Sequence, residues 1–444
     1  MKVSRLPKDT GLAAWNALHD HRLPVNPLCN DTTAEWLVIG AGFAGLAAAR
    51  RLSLNNPGDR IVVLDAVRLG EGPVGRNSGF MIDLPHVLTS GDYTGDGDAD
   101  QQDIWANRAA IDFAMEGARA FGMPDEAIVR SGKINGAATR KGMAHNEAYA
   151  RHLDGMDEPY RLLDAVEMRA VTGSDYYLGG LFTPGTAMLQ PALFATGMAA
   201  GLSSNRIRIH DESPVTALDQ KGLDWVAQTP GGSITAPRVI LAVNGHVQSF
   251  GGYQGQLMHV MLYASMTRAL SDAEVKELGG DETWGITPSD PMGTTVRRIS
   301  GQSGHRIIVR NRCTFSPDLA LKGEGIGTVE RDHDRSFQAR FPKLADVNME
   351  YRWAGRLCLS RNDAPAFGEI QPGLFSACCQ NGLGAAKGTF NGMAAADLAS
   401  GLDSDVVRYQ KSRPAPDRLL PSPLLRIGAP PTIRYREWAA GREL

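Results

Sequence analysis

The stretch from Glu35 to Asp65 leaves this chain few folds to adopt. Trp36-Leu37-Val38-Ile39 is an unbroken apolar run that ends in Gly40-Ala41-Gly42-Phe43-Ala44-Gly45. The glycines open Leu46–Leu52, a segment of helical character, and Asn55–Asp59 breaks it before a second apolar run, Ile61–Leu64. Short apolar runs bounded by turn residues read as buried strands. The order strand, helix, strand is that of a right-handed parallel unit. The glycines act differently. Gly40 permits a tight turn, Gly42 lets the backbone approach a pyrophosphate, and Gly45 allows close packing of helix on strand. Asp65 ends the second strand 20 positions after Gly45, where an acid accepts hydrogen bonds from a ribose. The helix start, with free N–H groups and a positive dipole end, suits the phosphates. This pattern predicts a dinucleotide site without separating a nicotinamide from a flavin cofactor.

Bulk properties narrow the class. The chain has 444 residues, room for two domains, and its 43% apolar and 21% charged composition is that of a globular protein. A net charge of −3 gives no general attraction to nucleic acid or to an anionic membrane. Five cysteines, an odd number without a CxxC pair or a Cys/His cluster of zinc spacing, predict a reducing compartment and no metal. The N-terminal residues are interrupted by Asp9, Asn16, His19 and Asp20, and no apolar run is long enough to span a bilayer. A cytoplasmic protein without nucleic-acid or membrane partners is expected, its oligomeric state open. The acidic loop at 90–100 lacks the closing Glu of a calcium loop and reads as solvated.

Helices are expected over 104–121, 143–153 and 191–202. Strands are expected at 206–210 and 238–243, with a hairpin turn at 229–232. Alternation at 255–268 and 305–315 predicts a second, antiparallel sheet. The corresponding division is an N-terminal arm over the surface (1–33) and a nucleotide domain (34–150, 186–252, 353–420). A substrate domain (151–185, 253–352) and a Pro- and Arg-rich surface tail (421–444) complete it.

Three further segments join the glycine motif. Gly72-Pro-Val-Gly-Arg-Asn-Ser-Gly79 is the first. The second is Leu189-Gln-Pro-Ala-Leu-Phe, continued by Ile207–Val215, Thr229–Gly232 and Val239–Asn244. The third runs from Trp353-Ala-Gly355 through Asn362–Gly368 to Asn381-Gly-Leu-Gly384. In this order they resemble the D-amino-acid-oxidase-like superfamily of FAD amine oxidoreductases, which includes glycine and sarcosine oxidases. The nearest likeness is to its gamma-glutamylputrescine oxidoreductase branch. The resemblance implies an α/β (α+β) fold: a Rossmann-like FAD-binding domain built from discontinuous segments plus an antiparallel-sheet substrate domain. It also implies non-covalent FAD, held by Gly40, Gly42, Phe43, Ala44, Gly45, Asp65, Ala66, Gly75, Arg76, Asn77 and Ser78, by Val215 and Asn244, and by Gly382, Leu383 and Gly384. Leu383 stands where the family's G-H-G has histidine, and Gln190 where its L-H-P does. Cys358 and His86 are out of register with relatives that attach flavin covalently.

The chemistry implied is hydride transfer to flavin N5 from the carbon beside a neutral amine, giving an imine that hydrolyses to a carbonyl product. Oxygen or another acceptor then reoxidises the flavin. Arg297 and Arg298, adjacent on a predicted strand, are candidates to clamp a carboxylate or phosphonate, and alternation lets only one face the pocket. Tyr263 and Trp353 are read as core residues that also suit a pocket wall. Phe80 and Met81 are placed beside the flavin ring, Leu383 near the substrate, His305 in a loop, and Cys378-Cys379 in the core. Competing readings are a nicotinamide-dependent dehydrogenase and a catalytically degenerate flavin-binding subunit.

Overall fold

The computed structural model describes residues 2–8, 11–85, 97–319 and 325–444. His86 and most of the acidic loop at 90–100 lie outside the described residues. The two apolar runs of the glycine motif form adjacent parallel strands, Trp36–Ile39 and Ile61–Leu64, with Ile39 opposite Leu64. Strand Ile207–His210 flanks them on one side and Arg238–Leu241 on the other. Leu374–Cys378 continues the parallel sheet, and Ala366–Gln371 closes its edge antiparallel. Trp36–Ile39, Ile61–Leu64 and Leu374–Cys378 are buried throughout, and Arg238–Leu241 is buried beyond its first residue. Near-continuous burial is the pattern of a sheet covered on both faces.

Two helices lie on one face of this sheet, Phe43–Asn55 after the glycine motif and Gly384–Ala399 near the end of the domain. Small residues bring them together: Ala44, Ala48, Ala394 and Ala395 are all buried in the same core. A Cβ added at Gly392 would sit 2.1 Å from the Ala44 carbonyl oxygen. Gly45 is as tightly placed, since its Cβ would fall 1.7 Å from the Gly40 oxygen. The glycine reading of close helix–strand packing therefore has a direct steric basis.

The second sheet has eight strands in the order Met349–Ser360, Leu257–Thr267, Arg306–Phe315, Thr295–Ile299, Trp284–Pro288, Lys133–Ala137, Gly179–Thr183 and Arg161–Asp164. It is antiparallel except where Trp284–Pro288 runs parallel to Lys133–Ala137. The expected boundaries put Lys133–Ala137 in the nucleotide domain, with no strand there. Its glycine and alanine content, weak in β propensity, hid it.

Two other segments differ from expectation. The residues expected to form a surface arm include Ala13, Ala14 and Trp15, which are wholly buried. Trp15 Nε1 donates to the Asn77 carbonyl at 2.7 Å, so this segment is a wedge beneath the Gly72–Gly79 loop. The segment expected to be a surface tail is largely a helix, Ser422–Ala440, with Pro423 in its first turn and Pro430 and Pro431 inside it. Two internal prolines remove helix hydrogen bonds, and tertiary contacts hold the element instead. Glu437 accepts from Arg312 Nη1 at 2.9 Å and from the Cys313 amide at 3.0 Å. Among the described residues no helix is long and apolar enough to cross a membrane.

Gly392→Ala should force the two helices apart. Overpacking of this kind costs about 2 kcal/mol, more than the roughly 1 kcal/mol that alanine returns in helix propensity. A lowered unfolding midpoint is expected, and an unchanged one would mean that the helices are not in contact at Ala44.

Candidate active site

One cavity of about 1170 Å³ runs between the two sheets. Its walls include Gly40, Gly42, Phe43, Ala44, Asp65, Ala66, Arg76, Asn77, Ser78, Val215, Asn244, Gly382, Leu383 and Gly384. Stretches hundreds of residues apart in sequence thus share one crevice. Gly45 and Gly75 do not line it. They pack the turns beneath, and a Cβ on Gly75 would lie 1.8 Å from the Gly70 oxygen.

The helix starts are one electropositive part of the crevice. Phe43–Asn55 begins at Gly42 and Gly384–Ala399 at Leu383, and neither has a side-chain cap. Their first N–H groups are left for a ligand or for water. Nothing lies closer to a Cβ built on Gly42 than Val74 Cβ at 4.0 Å, and nothing lies within 4 Å of one on Gly384. Open space over two uncapped helix starts fits a phosphate at one and a carbonyl-rich ring edge at the other.

Asp65 shapes the turn between them. Its Oδ2 accepts from the Ala41 amide at 2.7 Å and Oδ1 from the Val67 amide at 3.0 Å. Burial pushes its carboxyl up to about 6 despite these bonds. The Asp65 carbonyl accepts from the Ser213 amide at 2.7 Å, which brings the segment of Val215 alongside. The adjoining Val3 amide donates to the Thr216 carbonyl at 2.8 Å.

Arg76 organises the loop rather than reaching openly into the cavity. Its guanidinium donates to the carbonyls of Glu71 (2.9 Å), Ala354 (3.2 Å) and Gly11 (2.6 Å). Trp353, wholly buried and outside the cavity lining, donates from Nε1 to the Arg76 carbonyl at 3.0 Å. Asn77 closes its own turn, giving Nδ2–H to the Val74 carbonyl and accepting the Gly79 amide. Asn244 accepts the Cys379 amide at 3.2 Å, tying the central strand to the closing segment.

The expected substrate arginines are elsewhere. Neither Arg297 nor Arg298 lines the cavity. Alternation does separate them, but Arg297 is consumed by the backbone: its Nη1 donates to the carbonyls of Leu189 (2.5 Å) and Gly79 (3.0 Å), with the ring of Trp15 5.2 Å away. A Cβ on Gly79 would meet that nitrogen at 2.0 Å, so glycine is needed for the bond. Burial pulls the Arg297 guanidinium down to about 9. Arg298 is buried and donates to the Gly279 carbonyl. Tyr263 does line the cavity, its hydroxyl 2.7 Å from Thr314 Oγ1. Phe80 lines it as well, whereas Met81 is core. Cys358, Cys378 and Cys379 are buried and outside the lining. Cys313 lines it, with its thiol raised to about 11 by burial. Among the described residues, no group of three or more His, Cys, Asp or Glu is gathered as metal ligands would be.

Sequence reasoning missed three sets of wall residues: Arg310, Thr295, Thr287 and Lys133 on the large sheet, the arm residues Val3 and Leu6, and one face of helix Ser422–Ala440. The periodicity of Arg306–Phe315 gave the strand. Which of its residues face the crevice depends on register with strands far away in sequence.

The protein-family model described as FAD dependent oxidoreductase (DAO) matches residues 35–398, most of the chain. The chain belongs to this family. Probable oxidoreductase OrdL of Haemophilus influenzae is 24% identical over 395 residues, covering 85% of each chain. Gamma-glutamylputrescine oxidoreductase of Escherichia coli is 25% identical over 360 residues, 79% of this chain and 80% of that one. The structure of glycine oxidase from Geobacillus kaustophilus matches with a TM-score of 0.68 at 17% identity, over 88% of this chain and 100% of its own. The expected fold, a Rossmann-like FAD domain with a sheet-based second domain, is that of the family. The protein is an FAD-dependent oxidoreductase.

Two outcomes test the site. Asp65 is ionised, and a full acceptor, only above about 6; below that a proton occupies one oxygen. FAD affinity should therefore fall as the pH drops through about 6, and Asp65→Asn should flatten the profile in a fluorescence titration. Arg297→Met should loosen FAD and lower the melting temperature with little change in substrate KM, where a substrate-binding arginine would raise KM.

Proposed function

We propose that this FAD-dependent oxidoreductase oxidises the C–N bond of a small amine or amino acid, with FAD bound non-covalently. The observation that carries the reading is the single cavity in which the turn around Gly42, the loop around Asn77 and the start of helix Gly384–Ala399 all meet the large sheet. The extended cofactor would lie along the first three and present its ring to the fourth. When bound, FAD supplies the electron-accepting chemistry: a hydride leaves the carbon beside the amine, and the imine formed hydrolyses to a carbonyl product.

The chain's own part is to position and to exclude water. Met258, Val260 and Leu262 give the sheet side of the cavity an apolar strip, which desolvates a neutral amine and favours reaction from a held geometry. Burial raises the Tyr263 hydroxyl above its ordinary range, so it stays protonated as a donor or an acceptor. Leu383, where relatives have histidine, adds no titrating group, and such a hydride transfer needs none. The cavity-lining thiol of Cys313, raised by burial, is a poor nucleophile, which supports non-covalent attachment. The names of relatives, gamma-glutamylputrescine oxidoreductase and glycine oxidase, favour CH–NH or CH–NH2 donors. A nicotinamide enzyme would leave the closing segment at Gly382–Gly384 without a purpose.

Purified protein loaded with FAD should lose its absorbance at about 450 nm, a property of the cofactor, when mixed anaerobically with a suitable amine or amino acid. A panel of N-methyl amino acids, polyamine derivatives, D-amino acids and aminophosphonates covers the class. Intact flavin colour with every member would favour the degenerate-subunit reading instead.

A further inference from the structure

The large sheet carries a polar row outside the residues that the family resemblance assigns to FAD. Arg310 pairs with Thr295 across two strands. Gly285 opposite Arg297 and Ile286 opposite Val296 set the register that brings Thr287 beside Thr295, and Thr287 pairs with Asn135 on the next strand. Directly paired residues project from the same face, and Lys133, two residues before Asn135, shares that face. The row Arg310, Thr295, Thr287, Asn135 and Lys133 therefore crosses four strands, and all but Asn135 line the cavity.

Its two cations have only neutral bonded partners. Arg310 Nη1 is 3.4 Å from Thr295 Oγ1, a long contact. Lys133 Nζ donates to Asn135 Oδ1 and to Thr287 Oγ1 at 3.2 Å. No carboxylate among the described residues forms an ion pair with either. The acids that line the cavity are engaged elsewhere: Asp363 with Lys387 (2.8 Å), Asp103 with Arg413 (3.0 Å), Asp100 with His152 (2.9 Å) and Asp65 with its own turn. The acid with most influence on Lys133 is Asp83, which is bridged to Arg108 at 3.2 Å.

Lys133 is buried and Arg310 half-buried on the cavity wall, and holding unpaired charge out of water is expensive. Burial pulls Arg310 below the ordinary guanidinium range and Lys133 down to about 8. Arginine does not shed its proton to relieve the cost. The missing counter-charge has to come from a molecule the cavity admits. The pyrophosphate of FAD belongs with the uncapped helix at Gly42, on the other sheet, which leaves the substrate.

Resting on the function proposed above, we infer that the Arg310–Lys133 row selects a doubly anionic amine, with its charge in two carboxylates or in one phosphonate. Arg310 supplies a planar fork for an oxyanion. Lys133 supplies a second, point-like charge, and Thr295 a hydroxyl donor between them, while the Thr287 hydroxyl donates to Asn135 Oδ1 at 2.8 Å and steadies the lysine end.

Binding can be read without turnover, from the perturbation of the flavin spectrum by unreactive anions. Titrants are acetate, succinate, methylphosphonate and acetamide, applied to the FAD-loaded enzyme. Succinate, methylphosphonate or both should bind at least tenfold more tightly than acetate, and acetamide weakest; the stronger of the two dianions identifies the charge source. Arg310→Met and Lys133→Met should each weaken the preferred dianion at least tenfold while FAD affinity stays unchanged. In the wild type, affinity for the doubly charged form of the ligand (methylphosphonate counted only once its second proton is lost) should fall as the pH rises through about 8, where Lys133 loses its proton, and Lys133→Met should abolish that step. The pH titration decides the matter even if a variant fails to fold. Equal binding of acetate and both dianions, or a dianion affinity flat through this pH range, would overturn the inference. Flavin bleaching by singly charged or neutral amines would still stand as evidence for the oxidoreductase itself.

Discussion

The architecture depends on how closely two helices approach each other. Gly392 lies on the backbone of Ala44 with no room for a methyl group between them, and Gly388 sits 3.4 Å, measured from a built Cβ, from Phe43 Cβ. This contact aims two uncapped N-termini at one crevice. One belongs to a helix beginning at residue 43 and the other to a helix beginning at residue 384. A domain assembled from distant segments needs such a fixed point: the Asp65 turn is tied to it through the Ala41 amide, and Val74 of the Gly72–Gly79 loop lies 4.0 Å from a Cβ built on Gly42.

Around that point, arginines serve the backbone more than any ligand. Arg76 joins Gly11, Glu71 and Ala354, while Arg297 joins Gly79 and Leu189. Both tie the Gly72–Gly79 loop to segments distant in sequence. A guanidinium, with several donors in a rigid fork, can satisfy multiple carbonyls at once. The same property that suggests a substrate clamp in sequence makes arginine an effective internal brace.

Local patterns were the legible part of the chain. Strands Trp36–Ile39, Ile61–Leu64 and Arg238–Leu241, helix Pro191–Leu202 and the hairpin after Thr229 follow from apolar runs, a proline start and a Gly-Gly turn. The convergence of Asp65, Val215 and Gly384 followed from the collinear motifs. What stayed hidden was set by register and by tertiary support. Arg297 and Arg310 project from the same face of one sheet, and what separates them is tertiary packing: Arg297 is spent on Gly79 and Leu189, while Arg310 lines the crevice. Lys133 sits on a strand too rich in small residues to be recognised. Helix Ser422–Ala440 contains two prolines that argue against a helix locally, and it is anchored by Glu437 and Arg312.

Two helix dipoles, an arginine and a lysine all point positive charge at the same hollow, and the acids on its walls are paired elsewhere. A ligand that binds only the folded form stabilises it in proportion to its saturation, and here the dinucleotide would also relieve internal repulsion. The cofactor-free polypeptide is then the vulnerable species. Its lifetime in a cell would follow flavin supply, so that vitamin scarcity would lower the amount of this enzyme as well as its activity.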